Sequence, residues 1–369
     1  MAGVYAERLR RVRRAMRARS LPAIYFTAPT SRQYLTGFSG TAGAVLITPR
    51  GSGQFFTDFR YTERALSEVA PEFQVHEVSR STKALLVASL QQARVKRLGI
   101  EDSELTVAEF QSLQNRLPRI RLVGVGSLLL EQRGIKDNIE LTTLRQAIRS
   151  TDDVFAIVVK WLRQMKRQKR LPTEEAIAWK IRDVIHTKRL GDLAFSTIVA
   201  SGPNAARPHH EPTRKRLHLG EMVILDLGVK VGGYHADMSR TVFLGKPTAR
   251  QQAMYLTTLQ AQATAIRYLR QGGRSAGEAD AVARKIIDAK FPRSFGHALG
   301  HGVGLEIHEY PTLGPKSKHV LKAGMVFSVE PGIYLKGEGG IRIEDLVLLK
   351  KDGCEVLSQS RKKLLGVTI

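Results

Sequence analysis

Two aspartates eleven residues apart carry the first chemical signal in this chain. In EMVILDLGVKVGGYHADMSRTVFLG, Asp226 interrupts an apolar strand and Asp237 begins the next, with Gly232-Gly233 between them. An unpaired carboxylate inside such a strand is very costly to bury. A hairpin of this separation brings the two acids face to face, where they repel unless a proton or a metal lies between them. The pattern recurs in MVFSVEPGIYLKGEGGIRIEDLVLL. There Glu330 ends an apolar strand, Gly337 to Gly340 supply a turn, and Glu344 lies in the returning strand fourteen residues on. Two strand pairs with two inward acids each predict a pseudo-symmetric site of four carboxylates. In a plainer alternative each acid pairs with a local arginine, and Arg240 and Arg342 are near enough. All four acids interrupt apolar segments, however, whereas ion-pair networks usually line surfaces.

Between the hairpins, SFGHALGHGVGLEIHEYP holds His297, His301 and His308. One buried histidine is more often a satisfied core residue than a ligand. Three in a glycine-rich segment between four acids point to metal. Carboxylate oxygens favour Mn²⁺ and Mg²⁺, and imidazole admits Zn²⁺, Co²⁺ or Fe²⁺. Two such ions ~3.5–4 Å apart activate a water between them, so hydrolysis is the expected reaction class. Two other patterns fail. His297 and His301 are spaced like the zinc pair of H-E-x-x-H, but Ala298 stands where the general base belongs. Gly300, Gly302 and Gly304 imitate a dinucleotide loop without its full spacing or setting.

These residues need a frame of strands and helices. From about Lys136 the chain reads as long helical stretches followed by paired strands. Helices are expected over 138–170 (two in succession), 173–190, 250–270 and 275–289, with strands at MVILDLGV, RTVFLG, MVFSVEPGIY and IRIEDLVLL. Residues 1 to about 130 alternate instead. LPAIYF, AGAVLIT, GQFFTD and RLGIE read as strands, and 61–69, 83–94 and 107–117 as helices, which suggests a small α/β domain. Its polar residues form no recognisable catalytic set, so its expected role is scaffolding or substrate capping.

Composition sets outer bounds. The chain has 369 residues, 43% hydrophobic and 25% charged, as folded proteins do. No apolar run nears the ~18 residues of a membrane span. The basic start lacks the apolar region of a secretory signal. Cys354 is the sole cysteine, so an internal disulfide and a cysteine zinc cage are excluded, and a cytoplasmic location is expected. The net charge of +24 would favour anionic partners such as nucleic acid. Yet Tyr5, Leu9, Val12 and Met16 form an apolar stripe among the N-terminal arginines, and the run from Arg163 to Arg170 precedes a helix start at Thr173. Neither basic run interleaves aromatics for stacking, so both read as solvated helix faces.

With these motifs in place, the chain resembles the pita-bread metallopeptidases, in their Xaa-Pro aminopeptidase and prolidase (Xaa-Pro dipeptidase) branch, over essentially its full length. YLTGFSGTAGAVLIT and FTDFRYTERA resemble that branch's creatinase-type N-terminal domain. DLG, GHGVG, VEPGIY and RIED surround five positions that match the family's metal ligands in order: Asp226, Asp237, His301, Glu330 and Glu344. The resemblance implies an α/β creatinase-like domain over 1–130 and an α+β pita-bread catalytic domain over 136–369, with a pseudo-twofold antiparallel sheet.

It also implies roles. Asp237 and Glu344 would bridge two divalent ions, Asp226 would chelate one, and His301 and Glu330 would hold the other. Manganese is the favoured metal, with cobalt or zinc as alternatives. Glu330 would double as the proton carrier, taking a proton from the attacking water towards the leaving nitrogen. His308 would contact the scissile carbonyl, His297 would belong to the pocket, and Arg342 would orient nearby acids. His209, followed directly by His210, stands at the position of a substrate-binding histidine. The expected substrates are proline-containing peptides or dipeptides, and the expected assembly is a homodimer.

Within the branch, YLTGFSGTAG and FTDFRYTERA stand closer to the aminopeptidases, so peptides of three or more residues are favoured over dipeptides. A strict prolidase shares every catalytic residue named. Methionine aminopeptidase usually lacks the domain at 1–130, and creatinase lacks the metals. A non-catalytic pita-bread module that holds nucleic acid on its basic surface is a remoter alternative, since such relatives have usually lost ligands.

Overall fold

The computed structural model describes residues 2–78, 82–92, 95–126 and 128–369. The chain forms two compact units, residues 1–133 and 134–369. In the first, six strands make one sheet: β1 (Ala23–Phe26), β2 (Ala44–Ile47), β3 (Gly53–Thr57), β4 (Phe73–Glu77), β5 (Arg97–Ile100) and β6 (Arg121–Gly124), in the order β4-β3-β2-β1-β5-β6. Helices α1 (Ala2–Ala18), α2 (Pro29–Thr36), α3 (Thr62–Glu68), α4 (Thr82–Gln92), α5 (Val107–Arg116) and α6 (Leu128–Gly134) alternate with them. β4 and β6 were not expected from sequence. They are the two edges of the sheet, where a half-solvated strand such as FQVHE carries little apolar signal. The end of the helix expected over 83–94 lies outside the described residues.

Leu9, Val12 and Met16 of the α1 stripe are buried. One N-terminal arginine departs from a solvated face: Arg8 is buried, donates to the Tyr34 carbonyl and stacks over the Tyr34 ring. In the second basic run, Arg167, Lys169 and Arg170 are exposed.

The second unit starts with α7 (Asn138–Arg167), a single 30-residue helix rather than the two expected. Ser150-Thr151-Asp152-Asp153 looks like a break in sequence. In the fold, the Thr151 hydroxyl donates back to the Ala147 carbonyl, and Asp152 accepts from Gln359 and Ser360. No glycine or proline interrupts the run. α8 (Glu174–Thr187) follows, capped by the Thr173 hydroxyl, then β7 (Asp192–Leu193) and β8 (Ile198–Ser201).

Next come β9 (Met222–Leu227), β10 (Val229–Val231), β11 (Tyr234–His235) and β12 (Met238–Phe243). β8, β9 and β12 pair antiparallel, with Ile198 and Ser239 flanking Asp226. Gly232-Gly233, both at positive φ, close the separate small hairpin β10–β11 between the two long strands. Helices α9 (Ala249–Arg270) and α10 (Ala276–Asp288) lead to a five-stranded antiparallel sheet. It contains β13 (Gly300–Gly302), β14 (Glu309–Leu313), β15 (Val326–Val329), β18 (Asp345–Lys350) and β19 (Gly353–Val356) in the order β14-β13-β15-β18-β19.

The hairpin β16 (Gly332–Leu335) and β17 (Gly339–Arg342) stands between β15 and β18, much as β10–β11 stands between β9 and β12. This is the expected pita-bread arrangement. One continuous core, including Val154, Ile177, Leu225, Phe243, Leu269 and Phe327, joins helices to sheets. The glycines of GHGVG serve a strand rather than a nucleotide loop: a Cβ on Gly300 would sit 2.0 Å from the Ser328 carbonyl oxygen.

Candidate active site

The two strand pairs deliver their acids to one place. Asp226 lies within β9 and Asp237 just before β12. Glu330 follows β15 directly, and Glu344 occupies the turn between β17 and β18 rather than the strand itself. The Glu344 amide donates to the Ser239 carbonyl at 3.1 Å, which stitches one hairpin to the other. His301 on β13 points its Nε2 at both sets, 3.2 Å from Glu330 and 3.6 Å from Asp237. Asp237, His301 and Glu344 each offer a ligand atom within 4.8 Å of the others.

Hydrogen bonds set the histidine tautomers. Nδ1 of His301 donates to the Gly302 carbonyl at 3.1 Å, and Nε2, when protonated, donates to Glu330 at 3.2 Å; a metal ion would take the place of that Nε2 proton. Nδ1 of His297 faces the Ala298 carbonyl at 2.8 Å, so its Nε2 accepts from the Tyr334 hydroxyl at 2.9 Å. That hydroxyl in turn accepts from Arg342 at 3.0 Å. Arg342 also donates to Asp226 at 2.6 Å, to the Ser239 hydroxyl at 2.7 Å and to the Pro208 carbonyl at 3.1 Å.

The electrostatics match a site built for cations. Burial pushes Asp237 well above the usual carboxylate range, and the charges of Glu344 and Asp226 push it further. Burial does the same to Glu344, with Glu330 and Asp226 adding to it. Asp226 is raised by burial although Arg342 pulls it down. Glu330 is the exception: burial opposes ionisation, but the His301 hydrogen bond and charge hold it at about 2. Burial lowers His297 and His308.

The residues fit divalent metal on evidence of their own. Asp226 Oδ1 and Glu344 Oε1 are buried with no hydrogen-bond donor, a costly state for a carboxylate oxygen that is not a ligand. Only Asp226 has an arginine partner, because Arg240 goes to Asp345 at 2.7 Å instead. The plainer reading, an arginine for each acid, therefore fails among the described residues.

A pocket of about 390 Å³ opens beside this cluster, lined by all five acid and histidine positions together with His209, His297, His308 and Arg342. His308 packs edge-on against His301, with ring centroids 4.3 Å apart. His209 lines the pocket while its neighbour His210 turns inward to Glu174 at 2.9 Å.

Residues 142–351 match metallopeptidase family M24, and residues 8–135 match the creatinase/prolidase N-terminal domain. The chain belongs to metallopeptidase family M24. It is 32% identical to an uncharacterised peptidase of Bacillus subtilis over 97% of this chain and 99% of that one. The Xaa-Pro dipeptidase of Bacillus anthracis superposes with a TM-score of 0.91 at 31% identity, covering 99% and 100% of the two chains. The X-Pro aminopeptidase of Thermotoga maritima gives 0.87 at 30%, covering 96% and 100%. This M24 peptidase is thus a hydrolase that works with divalent metal ions.

Sequence reasoning missed three residues of the M24 site. Tyr334 sat in the motif VEPGIY without a role. Ser239 lies two residues past Asp237, on the same strand face. In sequence Glu174 is no more than an acid in the first turn of α8. It is a buried carboxylate that accepts from Ser201, Asn204, His210 and Thr213, and so pins the segment carrying His209. No local pattern marks a partner 27 to 39 residues away.

Proposed function

We propose that this M24 peptidase removes an N-terminal residue from peptides whose second residue is proline, favouring peptides of three or more residues over Xaa-Pro dipeptides. The observation that carries this preference is the engagement of Arg342. Among the described residues it is the one arginine or lysine lining the pocket, and four of its five N–H groups already donate, to Ser239, Pro208, Tyr334 and Asp226. A dipeptide presents a free carboxylate beside its proline ring, and a buried carboxylate needs a cation. A longer peptide presents a neutral amide there. The apolar side chains of Phe195, Ile198 and Ile307 on the pocket wall suit a proline ring, whose tertiary nitrogen has no hydrogen to offer.

In this reading Asp226, Asp237, His301, Glu330 and Glu344 hold two divalent ions, the two orphaned carboxylate oxygens facing them. When bound, the ions supply Lewis acidity to the scissile carbonyl and a water acidified for attack. Glu330 accepts a proton of that water and returns it to the proline nitrogen as the C–N bond breaks. His308 donates to the carbonyl oxygen as charge develops on it, and His209 flanks the proline side. Tyr334 and Arg342 brace His297 and Asp226. The division of labour follows the two regions 1–130 and 136–369, the second carrying the chemistry. The family resemblance extends the reading to manganese, with cobalt or zinc as substitutes, and to a homodimer. The single half-buried Cys354 suits a reducing, cytoplasmic compartment.

The test compares Xaa-Pro, Xaa-Pro-Yaa, Xaa-Ala-Yaa and N-acetyl-Xaa-Pro-Yaa with chelated and with Mn²⁺-, Co²⁺- or Zn²⁺-loaded protein. Metal-dependent cleavage of Xaa-Pro-Yaa is expected, with the alanine and acetylated peptides intact. Faster turnover of the dipeptide moves the assignment to prolidase. Equal cleavage of the alanine peptide removes proline specificity, and full activity after chelation removes the metal mechanism.

A further inference from the structure

A second, smaller pocket of about 190 Å³ adjoins the active-site pocket. The two share Ser196, so they meet at the loop after β7. Its outer wall is the exposed face of α8. Trp179 and Arg182 are three residues apart there, on one side of the helix, with the guanidinium carbon 5.1 Å from the ring centroid. Trp179 is 65% exposed, an unusual state for the side chain with the most apolar surface to hide. Arg182 forms no ion pair among the described residues, although the groove contains a carboxylate. That acid, Glu175, is turned towards Arg214, 3.8 Å away. A solvent-facing aromatic shelf with an unclaimed cation at its edge therefore stands next to a catalytic pocket whose one lining arginine, Arg342, is already paired with Asp226.

We propose that this groove is the subsite for the part of the peptide beyond proline: Trp179 supports the following backbone, and Arg182 receives the C-terminal carboxylate of a short peptide. The inference rests on the Xaa-Pro reading above and deepens it by naming what lies past the scissile bond. The common wall at Ser196 argues for the occupant, because a chain leaving the pocket past that residue, at ~3.3 Å per residue, heads into the groove. Charge argues for it as well. Arg182 is a cation in that groove that forms no ion pair among the described residues, and the flat guanidinium stacked on indole keeps its edge free for a carboxylate.

The experiment measures kcat and KM on four peptides, Ala-Pro-amide, Ala-Pro-Ala, Ala-Pro-Ala-amide and Ala-Pro-Ala-Ala, with metal-loaded parent, Trp179→Ala and Arg182→Gln. Ratios within one preparation do not depend on the fraction that folds. In Arg182→Gln, the kcat/KM ratio of Ala-Pro-Ala to Ala-Pro-Ala-amide should fall about fivefold, as an exposed ion pair allows. In Trp179→Ala, the ratio of Ala-Pro-Ala-Ala to Ala-Pro-amide should fall about fivefold through KM. Ratios unchanged within a factor of about two in an active enzyme overturn the subsite alone. A parent enzyme that cleaves none of the four overturns the Xaa-Pro reading and takes the subsite with it.

Discussion

Replacing Glu174 by glutamine tests whether one buried carboxylate holds the pocket-lining loop of Pro208 and His209 in place. One carboxylate oxygen accepts from the Ser201 amide and hydroxyl, both at 2.8 Å, and from Asn204 at 3.0 Å. The other accepts from His210 at 2.9 Å, the Thr213 hydroxyl at 2.7 Å and the Thr213 amide at 3.1 Å. Burial opposes ionisation, but these donors, Asn204 and His210 foremost, hold the group at about 2 against an ordinary 4.5. At ~1.4 kcal/mol per pH unit, that gap is worth on the order of 3 kcal/mol. Glutamine keeps the volume but puts an NH₂ against either the Ser201 amide and Asn204 or the Thr213 amide, so either orientation leaves at least one obligate donor unsatisfied even if the hydroxyls and His210 turn to accept. The expected loss is ~2–4 kcal/mol in the unfolding transition of the catalytic unit, read by urea titration at constant m. KM for Xaa-Pro-Yaa should rise, because the pinned segment carries Pro208 and His209.

The pH dependence has a definite sign. A carboxylate whose folded pKa is depressed stabilises the protein above its unfolded pKa and loses that contribution as the pH falls towards the folded value. The gap between parent and Glu174→Gln should therefore shrink by roughly 1 kcal/mol between about pH 5.5 and about pH 3.5. A stability difference below ~0.5 kcal/mol, or a gap that widens on acidification, refutes the clamp.

The remaining predictions concern the site itself. Asp237→Ala should lose bound metal together with activity, while His308→Ala should keep its metal and lose most of its turnover. Elemental analysis decides, and release of metal from His308→Ala with retention by Asp237→Ala reverses the assignment. Tyr334→Phe removes the hydroxyl shared by His297 and Arg342 while keeping the ring. It should lower kcat/KM by about tenfold with metal content intact, and unchanged kinetics would make Tyr334 a packing residue only.

The chemistry was legible from sequence because it breaks local rules. A carboxylate in the middle of MVILDLGV or at the end of MVFSVE is so unfavourable to bury alone that its presence announces a partner, and two such pairs with histidines between them announce metal. The interior strands Ala23–Phe26, Ala44–Ile47, Gly53–Thr57 and Arg97–Ile100 of the N-terminal sheet were legible too, since their apolar runs survive where burial is two-sided, whereas the short glycine-bearing Gly300–Gly302 strand was not. The edge strands Phe73–Glu77 and Arg121–Gly124 were not, because solvent takes one side and the period fades. Nor was the unbroken helix Asn138–Arg167, whose Ser150-Thr151-Asp152-Asp153 stretch mimics a cap until Asp152 meets Gln359 and Ser360 some 207 residues on. That His209 lines the pocket while His210 turns inward was settled by Glu174 on a distant helix. That Arg342 is engaged was settled by Ser239, Pro208, Tyr334 and Asp226 arriving from separate elements. Burial cost is a property of a residue and its neighbours in the chain, so sequence determined that these acids act together. The partner of a hydrogen bond is a property of the packed fold, so only tertiary structure decided which side chains were left free.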